Sequence, residues 1–180
     1  MAARNWSSGD IIAEFGDLGS SVMSVDRTGD IVLLASKRAL QFVRISRFET
    51  NPKDPKHYTH KTPRKNVKWE VTAAQWNPHP QQRSKFVITR NQLADIFDYG
   101  DGCVTLTDVL ESHTRAITDL DWSPFDGNLL LTCSSGSNAF LWDTRECRSP
   151  AQIYDSLQSA SQVKWNKVSS ASNRMTLVGL

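Results

Sequence analysis

Three tryptophans, each closing a short strand pattern, recur along this chain at nearly constant intervals. AAQWNPHP from Ala73, DLDWSPFD from Asp119 and SQVKWNKV from Ser161 align on Trp76, Trp122 and Trp165, which stand 46 and 43 residues apart. A fixed period of roughly 20–50 residues marks a repeat architecture, in which one supersecondary unit stacks on the next. A weaker copy lies upstream in SSVMSVDRTGDIVLLAS, with Val22, Val25 and a Thr28-Gly29 turn, and with Arg27 at the place of the tryptophan. That copy stands 49 residues before Trp76 (76−27), so its unit holds a small insertion.

The best-preserved unit runs from His113 to Arg145. ITDLDW alternates apolar and acidic positions, SPFDGN supplies the Pro, Asp-Gly and Asn that pre-set turn dihedrals, and NLLLTCSS and NAFLWDT add two more strands. A His ahead of one strand and a Trp142-Asp143 pair closing another is the spacing of a WD repeat, a four-stranded propeller blade of about 40–45 residues. The expected fold class is all-β: a partial WD-repeat β-propeller of about three and a half blades of four-stranded antiparallel sheet. After an N-terminal tail over 1–19, the blades fall at 20–46, 71–110, 113–157 and 160–180. Phe97-Asp98 occupies in the second blade the place that Trp142-Asp143 holds in the third. DIIAEF (Asp10 to Phe15) is a candidate closing strand. Three blades and a half fall short of the four to eight of a closed ring. The expectation is therefore a fragment, or an alternative product, of a longer propeller chain.

Between the first two blades, 47–68 carries three prolines and almost no apolar residue, and reads as an irregular insertion. Its basic residues, Lys61, Arg64 and Lys65 among them, are candidates for an anionic partner; a solvated loop is the plainer reading. A net charge of +2 and 22% charged residues give no nucleic-acid or membrane surface. Three cysteines without a CxxC pair fit a reducing compartment. No apolar run is long enough to span a bilayer, and MAARNWSSGD lacks the apolar region of a secretory signal. The expectation is a soluble intracellular protein.

No catalytic motif is present: GxSxG, HExxH, P-loop and dinucleotide fingerprints are all missing. No cofactor or metal site is expected, and His57, His60 and His79 read as loop histidines. The expected structural residues are Trp76, Trp122 and Trp165, which cover blade interfaces, and a hydrogen-bonded set of His113, Ser134 or Ser135, and Trp142, followed by Asp143. The Asp that completes this set in a WD blade would fall six residues before Trp142, where this chain has Gly136, so the network is expected to be broken.

KWEVTAAQWNPH, HTRAITDLDW and SASQVKWNK, in this order, together with the opening MAARNWSS, resemble the N-terminal propeller of a WD-repeat subunit of the GATOR/SEA complex. That family's full chain also carries an RWD-like region and a zinc-binding RING-type end. The resemblance implies a non-enzymatic scaffold that docks other subunits, other WD-repeat propellers among them. It implies action in amino-acid signalling to TOR complex one, in the cytoplasm and at the lysosomal or vacuolar membrane through the complex. A second binding class comes from Trp142-Asp143-Thr144-Arg145, which resembles the WDxR pattern of substrate receptors of cullin-four ubiquitin ligases. There Arg145 would meet the adaptor.

Overall fold

The structure is a computed structural model that describes residues 22–46, 59–63, 68–100, 102–155, 159–166 and 175–179, with backbone alone at 59–63 and 175–179. The candidate strand at Asp10 to Phe15, and Arg64 and Lys65, lie outside the described residues. The described chain folds into three four-stranded antiparallel sheets and one two-stranded sheet, each in sequence order. Blade 1 holds β1 (Val22–Val25), β2 (Ile31–Ala35), β3 (Ala39–Arg44) and β4 (Thr59–Pro63). Blade 2 holds β5 (Ala74–Trp76), β6 (Lys85–Arg90), β7 (Leu93–Gly100) and β8 (Cys103–Glu111). Blade 3 holds β9 (Ile117–Trp122), β10 (Leu129–Ser134), β11 (Asn138–Asp143) and β12 (Gln152–Asp155). The half blade is β13 (Ala160–Trp165) against β14 (Met175–Gly179). This is an all-β partial WD-repeat propeller.

Strand alternation decides the stacking, because neighbouring residues face opposite sides of a sheet and in blades 2 and 3 both sides meet another blade. Leu33, Ala35, Leu40 and Phe42 of blade 1 form one core with Trp76, Phe86 and Ile88 of blade 2. Val87, Ala94, Ile96 and Leu110 of blade 2 meet Ile117, Leu120, Trp122, Leu130 and Trp142 of blade 3. Leu131, Cys133 and Ala139 meet Ala160, Val163 and Trp165 of the half blade. The inner strands β1, β5, β9 and β13 run side by side in that order. On the far side of blade 1, among the described residues, Val43 packs with Val32 and Leu34, and Met23 and Val25 are 65% and 46% exposed.

Two expectations are corrected. The stretch 47–68 is not wholly irregular: Thr59–Pro63 is the outer strand of blade 1, paired with β3 in the register Phe42↔His60 and Gln41↔Lys61. An outermost strand needs no apolar face and is blunted by charge and proline, so THKTP gave no strand signal. His60 is thereby a strand residue. The place of the tryptophan in blade 1 is Val25 and not Arg27, because Val25 pairs with Val32 as Trp76 pairs with Phe86 and Trp122 with Leu130. Arg27 lies beyond the strand, in the turn that Gly29 closes at φ 76°.

Candidate functional site: the blade junctions and the lower face

One device is repeated at each junction of the inner strands. The amide of the closing tryptophan donates to the side chain just ahead of the equivalent residue in the blade before it. Trp76 N donates to Ser24 Oγ at 3.1 Å, Trp122 N to Gln75 Oε1 at 2.8 Å and Trp165 N to Asp121 Oδ2 at 2.9 Å. The indole N–H adds a second bond to the same residue's carbonyl: Trp122 Nε1 to Gln75 O at 3.4 Å and Trp165 Nε1 to Asp121 O at 3.1 Å. Gln75 Nε2 also donates to Asp121 Oδ1 at 2.9 Å, so one polar chain links blades 2, 3 and the half blade. Thr72 and Thr118 repeat a further link, donating to Ile117 O at 2.7 Å and Ala160 O at 3.0 Å. Lys164 pairs with Asp119 at 2.8 Å. Trp76, Trp122 and Trp165 are buried, at 3%, 1% and 5% exposure.

Sequence reasoning missed these acceptors. The signal was there: Trp76 and Trp122 each follow a polar residue, Gln75 and Asp121, which an alternating strand assigns to the opposite sheet face. That face meets the next blade rather than water, and Asp121 is 1% exposed.

Inside blade 3, Thr132 stands between His113 and Trp142, which corrects the assignment to Ser134 or Ser135. Trp142 Nε1 donates to Thr132 Oγ1 at 2.8 Å, and His113 Nε2 lies 2.7 Å from the same oxygen. Thr132 and Ser134 share one face of β10, so alternation alone could not choose between them. Pairing of Thr132 with Phe140, two residues from Trp142, makes the choice. Ser134 Oγ instead accepts from the Gly136 amide at 3.3 Å. The His113 ring stacks on Phe140 with centroids 4.1 Å apart. Among the described residues its buried Nδ1 has no partner. Burial pushes the imidazole down from 6.5 to about 4, so it is neutral near pH 7.

The blade ends that carry the β1–β2, β5–β6 and β9–β10 turns form one face, here called the lower face. On it Asn77 Nδ2 donates to Gly127 O at 2.8 Å and His79 Nε2 lies 3.1 Å from Ser123 O. A Cβ on Gly127 would come within 2.9 Å of His79, so only glycine permits this approach. Arg145 lies on this face, but its Nε donates to Asp143 Oδ1 at 2.8 Å, and its terminal nitrogen pairs with Asp143 Oδ2. The hydrogen bond from Arg145 holds the Asp143 carboxyl below its usual range. Arg145 is thus committed to its own turn. Of the basic residues in 47–68, Lys61 lies in β4 opposite Gln41. Among the described residues there is no group of three or more His, Cys, Asp or Glu placed to hold a metal, and no helix long and apolar enough to cross a membrane.

No family model matches the sequence. The chain is 36% identical over 167 residues to the human GATOR2 complex protein WDR59, a match covering 93% of this chain and 16% of that protein. It is 34% identical over 152 residues to Maintenance of telomere capping protein 5 of Saccharomyces cerevisiae, covering 83% of this chain and 12% of the relative. An uncharacterized RWD, RING finger and WD repeat-containing protein of Schizosaccharomyces pombe is 34% identical over 149 residues, 80% of this chain and 10% of the relative. The chain thus spans less than a fifth of the length of these relatives. By blade register and by sequence likeness over 93% of its length, the chain is a WD-repeat protein that resembles the GATOR2 complex protein WDR59.

Proposed function

We propose that the chain is a non-enzymatic scaffold subunit of a GATOR2- or SEA-like assembly, docking other protein subunits in amino-acid signalling to TOR complex one. It works in the cytoplasm and reaches the lysosomal or vacuolar membrane through the complex. The observation that carries the reading is the likeness to a GATOR2 complex protein over 93% of the chain. The physical chemistry agrees with a docking role. Each described blade uses its polar side chains to join strands and neighbouring blades, which leaves loops and rims as the contact surfaces of a rigid support.

The test is affinity purification of the tagged chain from its own cells, with quantitation of what comes with it. Recovery of the other complex subunits at near-equal amounts, together with a blunted response of TOR complex one to amino-acid withdrawal after deletion, is the expected result. Recovery of the chain with none of those subunits overturns the reading.

A further inference from the structure

On the lower face a cleft of about 310 Å³ opens between blades 1 and 2, with Asp26, Asp30, Arg44, Trp76, Arg83 and Ser84 in its lining. Its two carboxylates are already engaged. Asp26 accepts from the Thr28 amide at 3.3 Å, the Thr28 hydroxyl at 2.5 Å and the Ile31 amide at 2.8 Å. Asp30 Oδ1 accepts from the Ser46 amide at 2.8 Å. Among the described residues neither Arg44 nor Arg83 makes an ion pair or a side-chain hydrogen bond. Trp76 Nε1 is buried without an acceptor, in a residue 3% exposed.

The repeat shows that this orphan is particular to the first junction. Trp122 and Trp165 give their indole N–H groups to the carbonyls of Gln75 and Asp121 in the preceding blade. The equivalent acceptor for Trp76 would be the Ser24 carbonyl, and that bond is not made. Arg44, Arg83 and Trp76 thus line one cleft, and among the described residues the two guanidinium groups have no side-chain acceptor.

We propose that this cleft binds a carboxylate on an acidic segment of a protein partner, held by the guanidinium groups of Arg44 and Arg83 beside the Trp76 ring that lines it. The planar fork of arginine matches a carboxylate, and the indole of Trp76 in the cleft wall reports its arrival. A singly charged ligand fits better than a phosphate, because Asp26 and Asp30 cancel the formal charge of the two arginines and would repel a dianion. The partner's being a protein rests on the scaffold reading; the carboxylate chemistry does not.

The full chain, labelled with nitrogen-15, is titrated with a blocked hexaglutamate peptide while the indole N–H signals of its 6 tryptophans are followed. Trp76→Phe assigns the signal that matters. Hexaglutamate is expected to move the Trp76 signal and leave the other indoles in place, hexaglutamine to move none, and Arg83→Ala or Arg44→Gln to weaken binding about tenfold. Arg83 is exposed, so its replacement leaves the fold intact. A silent Trp76 signal, an equal response in Arg83→Ala, or tighter binding of inorganic phosphate overturns the proposal. Co-purification of the unaltered chain reads the scaffold role separately. Subunits recovered with a silent Trp76 discard the cleft alone, and a responding Trp76 without subunits discards the scaffold alone.

Discussion

Blades 2 and 3 have the same strands in the same order, yet they fill equivalent positions by different chemistry. The register aligns Phe86 with Leu130, Ile88 with Thr132 and Phe97 with Trp142. In blade 3 the threonine and tryptophan join His113 in a buried polar set. In blade 2 the isoleucine and phenylalanine join an aromatic cluster, where Phe86 stacks on Phe97 at 5.2 Å and meets Trp76 at 5.1 Å. Blade 2 places its polar link at the strand ends instead, where Arg90 pairs with Asp95 at 2.6 Å. The blade therefore does not require the polar set. A buried hydrogen bond contributes only about 1 kcal/mol net, while a buried group left unpaired costs about 1–3 kcal/mol. Blade 3 carries that liability at His113 Nδ1, and blade 2 avoids it at these positions.

The strongest way to break the comparison is at the junction the two blades share. Trp122→Ala removes a ring that is 1% exposed and is expected to cost about 3–5 kcal/mol. Urea unfolding followed by circular dichroism should lose both blades in one transition. Loss of blade 3 alone would mean the junction does not couple them.

Next comes the polar set itself. Thr132→Val leaves His113 Nε2 and Trp142 Nε1 buried without partners and should cost about 2–4 kcal/mol. The combined His113→Leu, Thr132→Ile and Trp142→Phe variant removes every polar member and should lie within about 1 kcal/mol of the native chain. If the triple variant is no more stable than Thr132→Val, packing rather than polar satisfaction separates the two blades.

Acid sharpens the difference further. Unfolded His113 binds its proton near pH 6.5, but in the fold burial lowers that value to about 4. Between the two values the unfolded chain holds more protons, so stability is full above the upper one and falls as pH drops toward the lower. The loss from this residue approaches about 3 kcal/mol at the acid end. His113→Leu should flatten the stability curve across that window. A curve that keeps its slope would place the proton uptake elsewhere.

The smallest effect concerns the acceptor His113 lacks. Gly136→Asp places a carboxylate in the turn after β10, where the added Cβ meets Arg115 and Ser134 no closer than 3.4 Å. Pairing with Nδ1 should stabilise blade 3 by about 1 kcal/mol and raise the His113 pKa, read by imidazole proton shifts against pH. An unchanged titration would show that the turn does not reach the ring.

Much of this architecture was legible in the chain. The tryptophan period located the blades, apolar patterning and turn residues located β9 to β11, and Phe97 matched Trp142 by its place in the repeat. β4 was not legible, because an edge strand is stabilised by backbone pairing and needs no apolar pattern. Val25 was passed over for Arg27 because a register is a relation between two strands, and a short divergent strand does not state its partner.

The sequence by itself determined the repeat, because a period and an apolar alternation are local and survive without knowledge of contacts. Only the tertiary structure decided which polar residues matter. Asp121 and Ser24 become junction acceptors because a neighbouring blade brings an amide to them. Thr132 is chosen over Ser134 by the register with β11. Arg44, Arg83 and Trp76 converge although they lie in different strands and turns of two blades, and no spacing along one chain encodes a cleft formed between two sheets.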